Sequence, residues 1–148
     1  MESAFCGTID NNIANQLREK QVGHERRRAQ DITEVVRNYF TPYYDRIVDS
    51  DKHRALTCQA YFNDMYKNLK CVYHVLKKHG EYHVIIGDNT IKGVEIPTHD
   101  VIRQLALEVG FECFGYYKYV IKDHRTSIPR NKENSKIEYE HVIMLRKP

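Results

Sequence analysis

The feature that most constrains this chain is the stretch His79–Gly80–Glu81–Tyr82–His83–Val84–Ile85–Ile86–Gly87–Asp88–Asn89. An amphipathic pattern runs into Gly80, a β-branched run follows, and that run empties into Gly-Asp-Asn. Helix, strand and polar loop are the repeating unit of open α/β sheets, whose ligands sit in the crevice outside the carboxyl ends of the strands. Asp88 and Asn89 are therefore the first candidate site residues. The structural alternative is a turn in which both side chains bond nearby backbone.

Upstream, residues 1–30 form a weakly patterned N-terminal arm, with residues 31–148 as the α/β domain. Ile9, Ile13 and Leu17 have helical spacing, Val22-Gly23-His24 interrupts it, and Met1 to Gly7 is expected to fray. Residues 18–28 hold five Arg or Lys against two Glu, either a solvated face or a phosphate-contacting patch. From Asp31 the pattern is firm. Asp31 and Glu34 are spaced as a capping box, and Ile32, Val35, Val36, Tyr39 and Phe40 make one apolar face. Thr41-Pro42 is predicted to end or kink that helix, leaving Tyr43 to Val48 as a second short one.

Ser50 is predicted to cap the longest helix, along which Tyr61, Met65, Leu69, Val72 and Leu76 recur, with Cys58 and Phe62 widening the stripe. Lys77, Lys78 and His79 suit its carboxyl end, and Gly80 its left-handed closing residue. Strand 82–87 lacks clean alternation and reads as buried on both faces, as in a parallel sheet. Residues 88–96 read as a loop. Pro97-Thr98 opens a helix with the face Val101, Ile102, Leu105, Ala106 and Val109, closed by Gly110. Strands 111–121 and 137–146 follow, and their polar connection carries no helical pattern, which makes them antiparallel neighbours.

At 148 residues one domain is the natural prior. The longest aliphatic run, Val84 to Ile86, is too short to span a membrane, and the first residues lack the basic start and apolar core of a signal peptide. Cys6, Cys58, Cys71 and Cys113 form no CxxC pair and read as reduced thiols of a cytoplasmic protein. No metal is expected from them or from the histidines. GxGxxG, GxxxxGK[ST] and GxSxG are all absent, so the chain reads as part of a sheet rather than a whole doubly wound one.

Four pieces in order carry a resemblance: "YFNDMYKNLKCVYHVLKKHGEYHVIIGDN", "KGVEIPTHDVIRQLALEVGFE", "YYKYVIKDHR" and "EHVIMLRKP". Together they resemble the C-terminal half of the catalytic domain of bacterial DNA amino-methyltransferases, S-adenosylmethionine-dependent enzymes of adenine N6 or cytosine N4 found in restriction-modification. Val75-Leu76-Lys77-Lys78-His79-Gly80, Gly87-Asp88-Asn89, Gly110-Phe111, Lys118 and Glu140-His141 hold the places of family landmarks. "AFCGTID" resembles, more weakly, the segment after the catalytic loop. The family's Pro-Pro-Tyr catalytic loop and its Phe-x-Gly-x-Gly cofactor turn are missing. The resemblance therefore implies a fragment, a split-enzyme subunit or a truncated gene product, binding S-adenosylmethionine only with a complementing half and inactive alone. No catalytic residue can be assigned.

The same resemblance places Asp88 and Asn89 at the cofactor or base crevice and puts the region beyond the aromatic strand near the duplex. Residues 122–136 hold Lys122, Arg125, Arg130, Lys132 and Lys136 against Asp123 and Glu133, a local excess of +3. Lys122, Arg125, Arg130 and Lys132, with Lys92 and Lys118, are the candidate DNA contacts; a solvated loop is the plain alternative. A non-catalytic DNA-binding or regulatory module using the 122–136 loop is the competing function. One of Glu140 and His141 should point inward, in a hydrogen-bonded structural role, and Tyr116, Tyr117 and Tyr119 should supply core plus half-exposed partners. The fold class expected is α/β, a partial Rossmann-like methyltransferase sheet of three strands with strand 137–146 antiparallel between the other two. Strand 82–87 would then present an edge to be covered by a complementing chain or in a homodimer.

Overall fold

A computed structural model describes residues 11–24, 31–122 and 137–148. The expected frayed start, "AFCGTID", the 25–28 charge run, Arg125, Arg130, Lys132 and Lys136 lie outside the described residues. The chain runs α1 (Asn11–Glu19), α2 (Glu34–Val48), α3 (Lys52–Val75), β1 (Glu81–Gly87), β2 (Asn89–Ile91), β3 (Val94–Ile96), α4 (Thr98–Val109), β4 (Glu112–Val120) and β5 (Tyr139–Arg146). On α1, Ile13 and Leu17 are about half exposed. No described helix is long and apolar enough to cross a membrane.

Both ends of α2 and both ends of α3 differ from expectation. α2 runs through Pro42 without ending. Val36 and Phe40 before the proline and Ile47 after it are all fully buried, and Phe40 packs against Phe62 of α3 with ring centroids 4.9 Å apart. That burial outweighs the one backbone bond a proline forfeits. The expected Asp31/Glu34 capping box does not form. Thr33 is the N-cap and makes no side-chain cap bond of its own. Instead its backbone N–H donates to Asn63 Oδ1 at 3.1 Å, while Asn63 Nδ2 donates to the Asp31 carbonyl at 3.1 Å. A buried asparagine on α3 thus ties down the start of α2.

α3 is capped by Asp51 rather than Ser50, its carboxylate accepting from the Arg54 N–H at 2.9 Å. The helix stops at Val75, before Gly80, because Leu76 is already extended. His79, not Gly80, takes the left-handed conformation with φ 62°. Gly80 is needed for a different reason: a Cβ there would meet the Lys77 carbonyl at 2.8 Å. The terminal carbonyls of α3 are met by Lys147, whose Nζ donates to Tyr73 O and Leu76 O at 2.8 Å each.

The sheet has the order β1–β5–β4, with β5 antiparallel to both neighbours. Strand 82–87 is therefore neither parallel nor buried on both faces. Val84 is buried while Ile85 is 62% exposed. Alternation along β5 sends His141, Ile143 and Leu145 into the core and leaves Val142 and Met144 half-buried on the outer face. Opposite them on that face lie Ile85 of β1 and Tyr117 of β4, 64% exposed. The β4 tyrosines are not core residues: Tyr116, Tyr117 and Tyr119 are all exposed. α4 buries Val101, Ile102, Leu105 and Ala106 as its pattern demands, and Gly110 closes it at φ 108°. Residues 88–96 are not an open loop but the hairpin β2–β3, turning on Lys92 and Gly93, both at positive φ.

Candidate functional site

β1 leaves the sheet at Gly87, and the next residue meets the start of α4. Asp88 Oδ1 accepts the His99 backbone N–H at 3.2 Å. It thereby caps a helix whose own N-cap residue, Pro97, has no side-chain acceptor. His99 Nδ1 also lies 2.7 Å from Oδ1 and 2.9 Å from Oδ2 of the same carboxylate. From β5, His141 Nε2 approaches Asp88 Oδ2 at 3.4 Å. The two imidazoles stack face to face, centroids 3.9 Å apart and planes 6° from parallel. On its other side His141 Nδ1 is 2.6 Å from the Tyr116 hydroxyl.

Burial sets the direction in which His141 is shifted. The His141 side chain is 3% exposed, and that desolvation, with His99 beside it, pushes its pKa below the ordinary histidine value. Asp88 pulls the other way, and burial wins. Burial first, then Asp88 and Asp100, raise the Tyr116 phenol. Of the pair Glu140–His141, the histidine points inward into hydrogen bonds, while Glu140 on the outer face accepts from the Tyr119 hydroxyl.

Asp88, Asn89, Lys118 and His141 line one open cavity of about 660 Å³, with Arg46 of α2 and Glu138 on its walls. Ligand pockets have volumes of this order, and so polar a wall suits a charged or strongly hydrogen-bonding guest. Lys118 reaches it from the inward side of β4, its Nζ 3.8 Å from the centre of the Tyr139 ring. Asn89 is exposed at the rim. Lys92 sits at the exposed hairpin turn and Lys122 is exposed just past β4; neither lines the cavity. The structure thus gathers Asp88, Asn89 and Lys118, adds His99, His141 and Tyr116, and keeps Lys92 and Lys122 apart. His99 and His141 stand 11 and 53 positions after Asp88, so no short spacing signals that they meet.

No family model matches the chain, and no curated protein matches its sequence. Solved structures give partial matches to a protein of Thermus thermophilus described as a candidate DNA modification methylase. Its complex with S-adenosyl-L-methionine is 21% identical over 61% of this chain, with a TM-score of 0.45. Its selenomethionine derivative is 23% identical over 72% of this chain, with a TM-score of 0.47. This chain spans 38% and 41% of that protein's chain in the two matches.

Proposed function

We propose that this chain supplies the C-terminal half of the catalytic domain of an S-adenosylmethionine-dependent DNA amino-methyltransferase, acting on adenine N6 or cytosine N4. What supports the reading above all is convergence. Asp88 and Asn89 come from one segment of the ordered motif match and Lys118 from another, and all three line one polar cavity at the carboxyl end of β1. The strand order β1–β5–β4, with β5 antiparallel in the centre, is the arrangement the resemblance implies.

The residues present do not make a complete S-adenosylmethionine site. Among the described residues no glycine-rich turn follows a strand at the cavity, and the sequence has no Pro-Pro-Tyr segment. No step of methyl transfer is therefore assigned to this chain, which is inactive without a complementing polypeptide. Asp88 and Asn89 face the cofactor or the base once that half is in place. The partner covers the sheet where it is bare: β1 is an edge strand, and Ile85 and Tyr117 expose apolar surface on the outer face. Lys118, with Lys122, Arg125, Arg130 and Lys132 beyond it and Lys92 on the hairpin turn, contacts duplex phosphates.

The test is fluorescence anisotropy on duplexes of unrelated sequence across a salt series. Phosphate contacts release counterions, so the logarithm of affinity should fall linearly with the logarithm of salt. Reversing Arg125, Arg130 and Lys132 to glutamate should reduce that slope by about 3. Unchanged binding in that variant, or none at low salt, removes the DNA-facing reading.

A further inference from the structure

The geometry points to a site for one divalent transition ion of the Zn²⁺ class, held by Asp88, His99 and His141. It stands on their placement alone and is independent of the methyl-transfer reading. One ligand atom from each residue lies within 4.8 Å of the other two. A carboxylate oxygen with two imidazole nitrogens is the donor set that borderline divalent ions prefer, and three protein ligands leave a coordination position open. The cavity gives that position access, since Asp88 and His141 both line it.

The surroundings hold two of the three donors, His141 and Asp88, in place. Tyr116 occupies the far nitrogen of His141 at 2.6 Å, which leaves Nε2 aimed at Asp88. Such an outer partner fixes the ring orientation of a ligating histidine. The His99 backbone N–H holds the Asp88 carboxylate in the same way. The ion would join the end of β1, the start of α4 and the middle of the sheet, three segments that already meet at Asp88.

The stacked rings specify how uptake proceeds. Parallel imidazoles keep their in-plane lone pairs in two stacked planes, so with the centroids 3.9 Å apart one ion cannot lie in both. One ring must turn. His141 is 3% exposed and pinned by Tyr116, whereas the His99 side chain is 23% exposed. His99 therefore leaves the stack, and its nitrogen swings from the Asp88 hydrogen bond to the ion. Binding should erase the ring-current shifts that the stack imposes on both imidazoles.

The full chain, stripped with chelator, is titrated with Co²⁺ and then with Zn²⁺. We expect one equivalent of Co²⁺ with the visible bands of nitrogen and oxygen ligation, no thiolate charge-transfer band, displacement by Zn²⁺, and a higher melting midpoint with either ion. His99→Ala should weaken uptake by at least about 100-fold and Tyr116→Phe by about tenfold. His53→Ala, on the exposed start of α3, should change nothing. If His99→Ala fails to fold by circular dichroism, His99→Gln replaces it, keeping a polar side chain without the imidazole. Absence of uptake, a thiolate band, or wild-type affinity in the folded His99 variant overturns the site.

Discussion

Replacing Asp88 by alanine, measured in chelator, isolates what this carboxylate does for the fold. It removes the side-chain acceptor that satisfies the His99 N–H, at 3.2 Å, in the first turn of α4. Loss of a cap costs about 1 kcal/mol. The substitution also removes the contact to His99 Nδ1 at 2.7 Å. A hydrogen bond to a charged group is worth about 1.5–3 kcal/mol when enclosed, but Asp88 is 37% exposed, and solvent screening reduces this to about 1 kcal/mol. The sum is about 2 kcal/mol, or roughly 6 °C of melting midpoint for a chain of this size. Asp88→Asn keeps an acceptor for the amide and should lose about half as much. Asn89→Ala, one residue on and exposed, should stay within about 0.5 kcal/mol. Urea unfolding of the three variants measures this directly. Equal midpoints for Asp88→Ala and Asn89→Ala would refute the view that Asp88 caps α4 and anchors the cluster.

Asn63→Ala removes the buried amide that ties residues 31–33 to α3 and leaves the Thr33 N–H and Asp31 carbonyl without their partner; it should cost about 3 kcal/mol in the same urea experiment. Burial pushes the Cys58 thiol up to about 12, while Cys71 is exposed, so iodoacetamide at pH 8 should modify Cys71 in the native chain and Cys58 only after unfolding, which peptide mapping would show. The same raised value has a stability sign. Below pH 9 the thiol is neutral in both states and contributes no pH dependence; from pH 9 to about 12 the unfolded thiol ionises and the buried one does not, so the urea midpoint should fall across that window.

Periodicity was readable wherever one element buries one face. The α4 stripe from Val101 to Ala106, the closing Gly110, and the antiparallel pairing of strands 111–121 and 137–146 follow from local pattern and the polar connection, whereas the central place of 137–146 comes only with the family resemblance. Tertiary competition explains the departures. Pro42 is tolerated inside α2 because Phe40 and Ile47 are buried on either side of it. The caps at Thr33 and at the end of α3 come from Asn63 and Lys147, 30 and 71 residues away, and no local window contains both partners. The β2–β3 hairpin did leave a local signal, Lys92-Gly93 between Thr90-Ile91 and Val94-Glu95-Ile96, masked by its very short strands. At the site, Asp88 and Asn89 were legible from their place after a β-branched run. His99 and His141 were not, because an acid and two histidines on β1, α4 and β5 become neighbours only once the sheet has formed.

The most direct test of the account is calorimetric titration of the isolated chain with S-adenosylmethionine. A crevice lacking its glycine-rich turn should give no saturable heat at micromolar to millimolar ligand. A one-to-one isotherm with micromolar affinity would contradict the account, because it would mean that the cavity beside Asp88 is already a complete cofactor site.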